Sequence, residues 1–426
     1  MSCGIRQLSH SCVAGPSRLP LSAPGLAVVR TRTRTIRSLS TAASDGAAPV
    51  VSASSQPTEH AKPKAPRPKV VFSGIQPTGI PHLGNYLGAL RNWVDLQNEA
   101  VTTGSNDELY FSIVGYHALT MPQDSKKLRV ERSEMMATLL AIGLDPERCT
   151  IFHQDQVSQH TELAWILNCI TGFGKLLRMT TWKSKLATAA NVSEAAAAEV
   201  GDKDLSLGLF AYPVLQAADI LLYRATHVPV GEDQIQHLEL SRDLADLYNR
   251  RFSRHFFPLP AHIITPTKRV LSLRDPTSKM SKSAPDPNSR IFITDTPAQI
   301  TAKIRKAVTD ADPTLSYDPL TRPGVSNLIL LLSALENPTQ SGGNDPTAAA
   351  ARLNDEIART GASAGQHLKS RLTEAIIETL RPIQARLEKL RADPAYLHQI
   401  EELGSSKAQS VATRTMQQVR KSIGLA

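Results

Sequence analysis

The chain has 426 residues, 41% hydrophobic and 20% charged, values ordinary for a soluble globular protein with two or three domains. Its net charge of +9 does not signal bulk affinity for nucleic acid: six of the nine surplus charges lie in residues 1–44 and two more in 45–69, which leaves +1 for the body. Four cysteines without CxxC or Cys/His spacing exclude a disulfide framework and a structural zinc, and no apolar run approaches the ~18 residues of a membrane span.

Residues 1–44 carry Arg6, Arg18, Arg30, Arg32, Arg34 and Arg37, no lysine and no acid. That is the composition of a mitochondrial transit peptide, processed somewhere around 38–45, and it predicts a matrix location. Residues 45–69 are rich in Pro, Ala and Ser and read as a linker. Folding starts abruptly with "KVVFSGIQPTGIPHLGNYLGALRNWVDLQ": a short apolar strand, a Gly/Pro loop, then a helix whose apolar positions include Tyr86, Leu87, Leu90 and Val94. "ELYFSIVGYHAL" is a second strand, "SKKLRVERSEMMATLLAIGL" an amphipathic helix and "TIFHQD" a third strand. The alternation predicts an α/β fold with a doubly wound parallel sheet over 70–289. Ligands of such sheets bind beyond the carboxyl ends of the strands.

Residues 184–206 are alanine-rich and predict an exposed loop with a marginal helix. Beyond about residue 290 the pattern turns all-helical. "DTPAQITAKIRKAVTD" opens with a cap and a proline at the first helical position. "NLILLLSAL" is a buried helix, "ENPTQSGGNDPT" a loop, and residues 364–394 a long helix bent near Pro382. "KAQSVATRTMQQVRKSIGL" is the last helix. The stretch 366–426 holds ten Lys/Arg against six Asp/Glu, compatible with phosphate contacts.

Three segments carry chemistry. In "FSGIQPTGIPHLGN" the glycines Gly74, Gly79 and Gly84 allow a backbone to approach a ligand, and the helix opening at His82 favours negative charge at its N-terminus. "KMSKS" at 279–283 offers two flexible ammonium groups, Lys279 and Lys282, with hydroxyls at Ser281 and Ser283. Such a loop can grip phosphates and let them go. The chain has no GxxxxGK[ST] and no GxGxxG, and "GFGK" at 172–175 covers only a fragment of such a pattern. In "YPVLQAADILLY", helical geometry places Tyr212, Gln216 and Asp219 on one face among apolar neighbours, the pattern of a cavity with placed polar groups. Asp219, a carboxylate, is the strongest hydrogen-bond acceptor on that face.

HLGN followed by KMSKS resembles the paired HIGH and KMSKS elements of class I aminoacyl-tRNA synthetases. "FSGIQPTG", "GNYLGAL", "HVPVGEDQIQHLELSRDLA" and "DPTSKMSKS" are similar to the tryptophanyl-tRNA synthetases of bacteria and mitochondria, a resemblance spanning roughly 70–426. It implies a Rossmann-like catalytic domain (70–289), a helical anticodon-binding domain (290–426) and a homodimer. Its substrates would be ATP with Mg²⁺, tryptophan and tRNA(Trp). By the same resemblance ATP meets Gln76, Pro77, Thr78, Gly84, Asn85, Gly231, Glu232, Asp233, Val270 and the loop Lys279, Met280, Ser281, Lys282 and Ser283. His82, Gln76, Lys279 and Lys282 are the catalytic set. Asp219 accepts the indole N–H, Tyr212 and Gln234 hold the α-amino group, and Phe72, Gly74, Val114, His117, Val228 and Val230 wall the ring. Two positions depart from the family: Gly115 stands where an acidic residue is usual, and Gln216 where many bacterial relatives have methionine. His153, His160, His237, His255, His262, Met121, Met135 and Met136 are expected to be structural or on the surface. The alternatives are a tyrosyl-tRNA synthetase of related fold and a non-catalytic RNA-binding or splicing protein on a synthetase scaffold.

Overall fold

The structure is a computed structural model describing residues 68–190, 205–231, 234–252, 255–264, 269–282, 284–336 and 345–426. The leader, most of the linker, and Glu232, Asp233 and Ser283 lie outside the described residues. Five short segments rich in β-branched and aromatic residues form the sheet: β1 Val70–Ile75, β2 Glu108–Ile113, β3 Thr150–His153, β4 His227–Val230 and β5 Ala261–Ile264. All neighbouring pairs are parallel, in the order β3-β2-β1-β4-β5, so the expected doubly wound sheet is present.

The pairing of β1 with β4 positions the site. β1 pairs with β2 along its whole length, Val70↔Glu108 through Ile75↔Ile113, but with β4 only at Val71↔His227. Thr226 fixes that one junction: its hydroxyl accepts from the Val70 N–H at 2.9 Å, and its own N–H donates to the Val70 carbonyl at 2.8 Å. Beyond it the carboxyl halves of β1 and β4 run on unpaired with each other. This is the topological switch point, where a ligand crevice opens.

The first helical stretch comprises α1 (Leu83–Asn85), a wide π-turn over Tyr86–Leu90, and α2 (Arg91–Thr103). It buries Leu83, Tyr86, Leu87, Leu90 and Trp93. After β2 come α3 (Gly115–Ala118) and α4 (Ser125–Ala141). The expectation that α4 is amphipathic is corrected in its second half, where every residue from Met135 to Ala141 is buried. The sheet covers one side of α4 and a C-terminal helix the other, and a helix enclosed on all sides has no polar face. Next in order are α5 (Gln159–Asn168), α6 (Phe173–Leu177), α7 (Thr181–Ala190), α8 (Leu207–Leu222) and α9 (Ile235–Arg251). The loop expected from residue 184 is thus helical as far as Ala190.

The rest of the chain is helical: α10 (Pro297–Arg305), α11 (Pro323–Glu336), α12 (Pro346–Thr360), α13 (Ala364–Arg391) and α14 (Pro394–Ile423). α10 starts at the predicted cap and proline, and the cap is a full capping box in which Thr296 and Gln299 exchange side-chain and backbone bonds ahead of Pro297. α13 runs on through Pro382 and buries Leu368, Leu372, Ile376, Leu380, Ile383 and Leu387 on one stripe.

The last helix begins thirteen residues earlier than Lys407, at Pro394 with Asp393 as its cap. Gly404 makes the sequence look interrupted, because glycine weakens a helix by about 1 kcal/mol relative to alanine. The reason for glycine is contact: a Cβ at 404 would lie 1.8 Å from the Ile151 carbonyl oxygen on the outer strand β3. Gly404, Ala408 and Ala412 form a small-residue stripe on which α14 seats close to the sheet. Gly404→Ala is therefore expected to destabilise the protein by roughly 1–3 kcal/mol or more, as overpacking does, read as a lower thermal midpoint. An unchanged midpoint would contradict this packing.

Several basic residues of the C-terminal helices are engaged by the protein itself. Lys369 donates to the Arg305 and Ala307 carbonyls, Arg386 to that of Ala141 and Lys407 to that of Pro146. Arg371, Arg391 and Arg420 pair with Glu336, Glu134 and Glu162. Six of the ten positive charges counted in the sequence thus bind the rest of the protein, which weakens the case for them as phosphate contacts. Among the described residues, no helix is long and apolar enough to cross a membrane.

Candidate active site

Two loops meet beyond the end of β1. Gln76, Pro77 and Thr78 lead into Gly79, whose φ of +76° requires the left-handed region. His82 then caps α1. Its Nδ1 accepts from the Asn85 N–H at 3.1 Å while its own N–H donates to Asn85 Oδ1 at 3.2 Å. The backbone around this cap is pinned by the strand-like segment that follows KMSKS: Leu83 N–H donates to the Ile291 carbonyl, and Ile293 N–H to that of Pro81. Because Nδ1 accepts, the ring proton sits on Nε2, leaving a fixed N–H donor at a helix N-terminus.

Burial, and then the charges of Lys282, Lys279 and Arg290, push His82 down to about 4, so the ring is neutral at physiological pH. An unfolded histidine titrates near 6.5. Between about pH 6.5 and 4 the unfolded chain binds a proton that the folded chain refuses, so stability falls as the pH drops through that window. In urea unfolding at graded pH, His82→Asn, which keeps a capping acceptor, should flatten this part of the profile. An unaltered profile would show that His82 does not titrate this way.

The KMSKS segment is the returning arm of a tight hairpin. Met280 N–H donates to the Val270 carbonyl at 3.1 Å, Ser272 N–H to the Ser278 carbonyl at 2.9 Å, and Leu271 and Lys279 form an antiparallel bridge. Met280, grouped above with the nucleotide contacts, has its side chain in the core and anchors the loop between the two lysines. Lys279 is exposed. Lys282 reaches across and donates to the carbonyls of Thr78 and Gly79, both at 2.8 Å. Burial pushes its ammonium down to about 8, partly opposed by Glu131. Val270 packs over Gly84, where a Cβ would lie 3.4 Å from its own Cβ and 3.1 Å from the His82 ring.

On the other side of β1, α8 carries Tyr212, Gln216 and Asp219 on one face, as its spacing predicts. Asp219 is 1% exposed. Its Oδ2 accepts from His117 Nε2 at 2.8 Å, its Oδ1 from His160 Nδ1 at 2.7 Å, and Gln154 Nε2 reaches both oxygens at 2.8 and 2.9 Å. Burial alone would raise this carboxyl, but the hydrogen bonds and charges of His117 and His160 outweigh it and hold the group at about 2. Asp219 is therefore an ionised acceptor in an apolar setting. His160 continues to the Tyr223 hydroxyl at 2.9 Å, and Tyr223 stacks on Phe72 with ring centroids 5.5 Å apart.

Tyr212 and Gln234 are joined through His237, whose Nε2 meets the Tyr212 hydroxyl at 3.0 Å and whose Nδ1 meets Gln234 Oε1 at 3.0 Å. Gln216 donates to Gln234 Oε1 at 3.3 Å, which gives the departure from methionine a role in orienting that amide. Lys185 holds its ammonium 3.8 Å from the Tyr212 ring centroid, and burial pushes it down to about 8.

The predicted residues thus gather on the two sides of the β1 carboxyl end. Gln76, Thr78, His82, Gly84, Asn85, Val270, Met280 and Lys282 lie on one side. Phe72, Tyr212 and Val228 share an apolar cluster on the other, with Val230 packed against it and the buried Asp219 on the helix that supplies Tyr212. Gly74 touches Val114, with 2.8 Å between a built Cβ and Val114 Cγ1. The exposed Gly231 accepts from the Gln234 N–H at 3.0 Å. Gln154, His160, His237 and Lys185 were not singled out as site residues. The signal for Gln154 and His160 is position, since both follow the carboxyl end of β3. The departure at Gly115 also finds its reason: a Cβ there would lie 2.3 Å from Asp155 Oδ1. Asp155 pairs with Arg132 at 2.5 Å, so a carboxylate from the neighbouring strand end fills the space of the usual acidic side chain.

Known proteins match this arrangement. The family model for class I tRNA synthetases (W and Y) covers residues 64–381. The mitochondrial tryptophan–tRNA ligase of Saccharomyces cerevisiae is 43% identical over 361 residues, 83% of this chain and 90% of the yeast protein. Tryptophanyl-tRNA synthetase from Mycoplasma pneumoniae superposes with a TM-score of 0.67 at 30% identity, over 84% of this chain and 98% of its own. The Campylobacter jejuni enzyme, crystallised with ADP and tryptophan, gives 0.64 at 30% identity over 84% and 100%. A capped HLGN helix, an anchored KMSKS hairpin and a family match across three quarters of the sequence agree: the chain belongs to the class I tRNA synthetases of the tryptophan and tyrosine group.

Proposed function

We propose that this protein is a tryptophan–tRNA ligase that activates tryptophan with ATP and transfers it to tRNA(Trp). The observation that carries the choice of amino acid is Asp219, a buried ionised acceptor on a helix packed in an apolar cluster. It matches a ring N–H that can only donate, and a side chain without one offers this carboxylate no bond. The substrate carboxylate attacks the α-phosphate in line and pyrophosphate leaves. No protein nucleophile takes part, so rate comes from alignment and charge. Lys282 turns from the Thr78 and Gly79 carbonyls to the β- and γ-phosphates, Lys279 joins it from solvent, and His82 Nε2–H and Gln76 steady the α-phosphate. Magnesium enters on the triphosphate as part of the substrate. Tyr212 and Gln234 hold the α-amino group. The terminal ribose hydroxyl of the tRNA then attacks the carbonyl of the aminoacyl-adenylate and takes the aminoacyl group as an ester, and AMP leaves.

The acid-free leader and the mitochondrial yeast relative support a mitochondrial site of action. Residues 290–426 form the anticodon-reading region, where Arg381, Lys389 and Lys421 are exposed on the long helices. A homodimer is supported by the apolar residues that α5, α6 and the start of α8 leave exposed: Trp165 at 71%, Phe173 at 67% and Leu207 at 80%. The purified protein, given ATP and mitochondrial tRNA, should charge it with labelled tryptophan and not with tyrosine. Charging with tyrosine, or none at all, would reject this function.

A further inference from the structure

Asp219 has three donors, and they are not equally anchored. Gln154 is held at both ends: its amide nitrogen spans the two carboxylate oxygens, and its Oε1 accepts from the Tyr116 N–H at 3.0 Å. His160 is held through both ring nitrogens, by Asp219 and by the Tyr223 hydroxyl. Both residues are fully buried. Among the described residues the His117 ring has a single hydrogen-bond partner, Asp219 Oδ2. His117 belongs to the one-turn helix α3 just beyond β2, retains 5% exposure, and stands edge-on to Tyr212 with centroids 6.2 Å apart. It therefore stands on the Tyr212 side of the carboxylate, and it can leave at the loss of one bond.

A carboxylate offers about four lone-pair positions, and these donors occupy all of them. A fourth donor can enter only by replacing one. We propose that His117 holds, on Asp219 Oδ2, the place that the indole N–H takes, so that tryptophan binding is an exchange of donors. Gln154 and His160 are the positioning residues that keep the carboxylate aimed while the exchange occurs. This rests on the assignment of Asp219 as the indole acceptor. Its consequence concerns affinity: every ligand that enters must displace His117, and one without an N–H leaves Asp219 short of a donor as well.

The sign of one measurement tests this. The full-length protein and His117→Ala are titrated by fluorescence with tryptophan and with 3-benzothienylalanine, in which sulfur replaces the N–H. If His117 competes with the ligand, its removal should tighten both ligands in parallel by about tenfold, the scale of one hydrogen bond to a charged group, and leave their ratio unchanged. Unchanged or weaker binding of both would overturn the exchange and leave His117 as pocket wall. Loss of the preference for tryptophan in the variant alone would also overturn it, because His117 itself would then be the indole's partner. If the wild-type protein shows no such preference, the Asp219 assignment fails first. A second readout needs no variant: in ¹⁵N spectra of histidine-labelled wild-type protein, tryptophan should move the His117 ring signals and leave those of His160 in place. An unmoved His117 overturns the proposal.

Discussion

Lys282→Ala lowers tryptophan-dependent ATP–pyrophosphate exchange by roughly ten- to a thousandfold, the scale of losing one preorganised charge donor, while tryptophan affinity is retained. The effect is expected in catalysis and not in folding. Removing Lys282 forfeits two bonds to backbone carbonyls, a net of about 1 kcal/mol each, but it also relieves the burial that pushes this ammonium down to about 8. These terms oppose one another, so the thermal midpoint should change little. In the transition state nothing offsets the loss, because charge accumulates on the departing pyrophosphate where this ammonium would stand. Lys279→Ala should act in the same direction and less strongly, since Lys279 is exposed and its geometry less fixed. Exchange at the wild-type rate in Lys282→Ala would remove the flap from the mechanism.

Asp219→Asn lowers kcat/KM for tryptophan roughly a hundredfold or more. A hydrogen bond to an ionised acceptor contributes about 1.5–3 kcal/mol, and the new amide must also point a donor at His117, Gln154 or His160. The effect should be larger than that of trimming any pocket wall, because three buried donors depend on this one carboxylate. Asp219→Ala is the poorer experiment: it leaves those donors without an acceptor and should destabilise the fold by roughly 3–5 kcal/mol. The acid limb of stability carries the same signature. Asp219 is held near 2 against an ordinary value near 3.9. Its contribution is complete above the ordinary value and is lost as the pH falls toward 2. Asp219→Asn should remove that dependence. A variant with wild-type kcat/KM for tryptophan would show that the indole binds elsewhere.

What the sequence disclosed and what it concealed divide along contact range. His82 with Asn85, Thr296 with Gln299, and the face shared by Tyr212, Gln216 and Asp219 are legible because each depends on residues within two turns of one another. The alternation of strands and helices predicts the parallel sheet, although not that β1 and β4 meet only at Val71 and His227. Gly404 misleads because its partner, Ile151, lies some 250 positions earlier, and composition cannot show which glycine answers a neighbouring backbone. The acceptor Asp219 is legible from the chemistry of a donor-only indole. Its own donors are not, because Gln154, His160 and His117 arrive from two other strand ends. Likewise the ten basic residues after 366 look available for RNA until the carbonyls and carboxylates that hold six of them are located.

The most direct measurement is a crystal structure of the protein with tryptophan and a non-hydrolysable ATP analogue. The indole nitrogen should lie within hydrogen-bond distance of an Asp219 oxygen, and the Lys282 ammonium should have left the Thr78 and Gly79 carbonyls for a phosphate. An indole lodged away from Asp219, or a triphosphate bound while Lys282 still grips that backbone, would contradict the account.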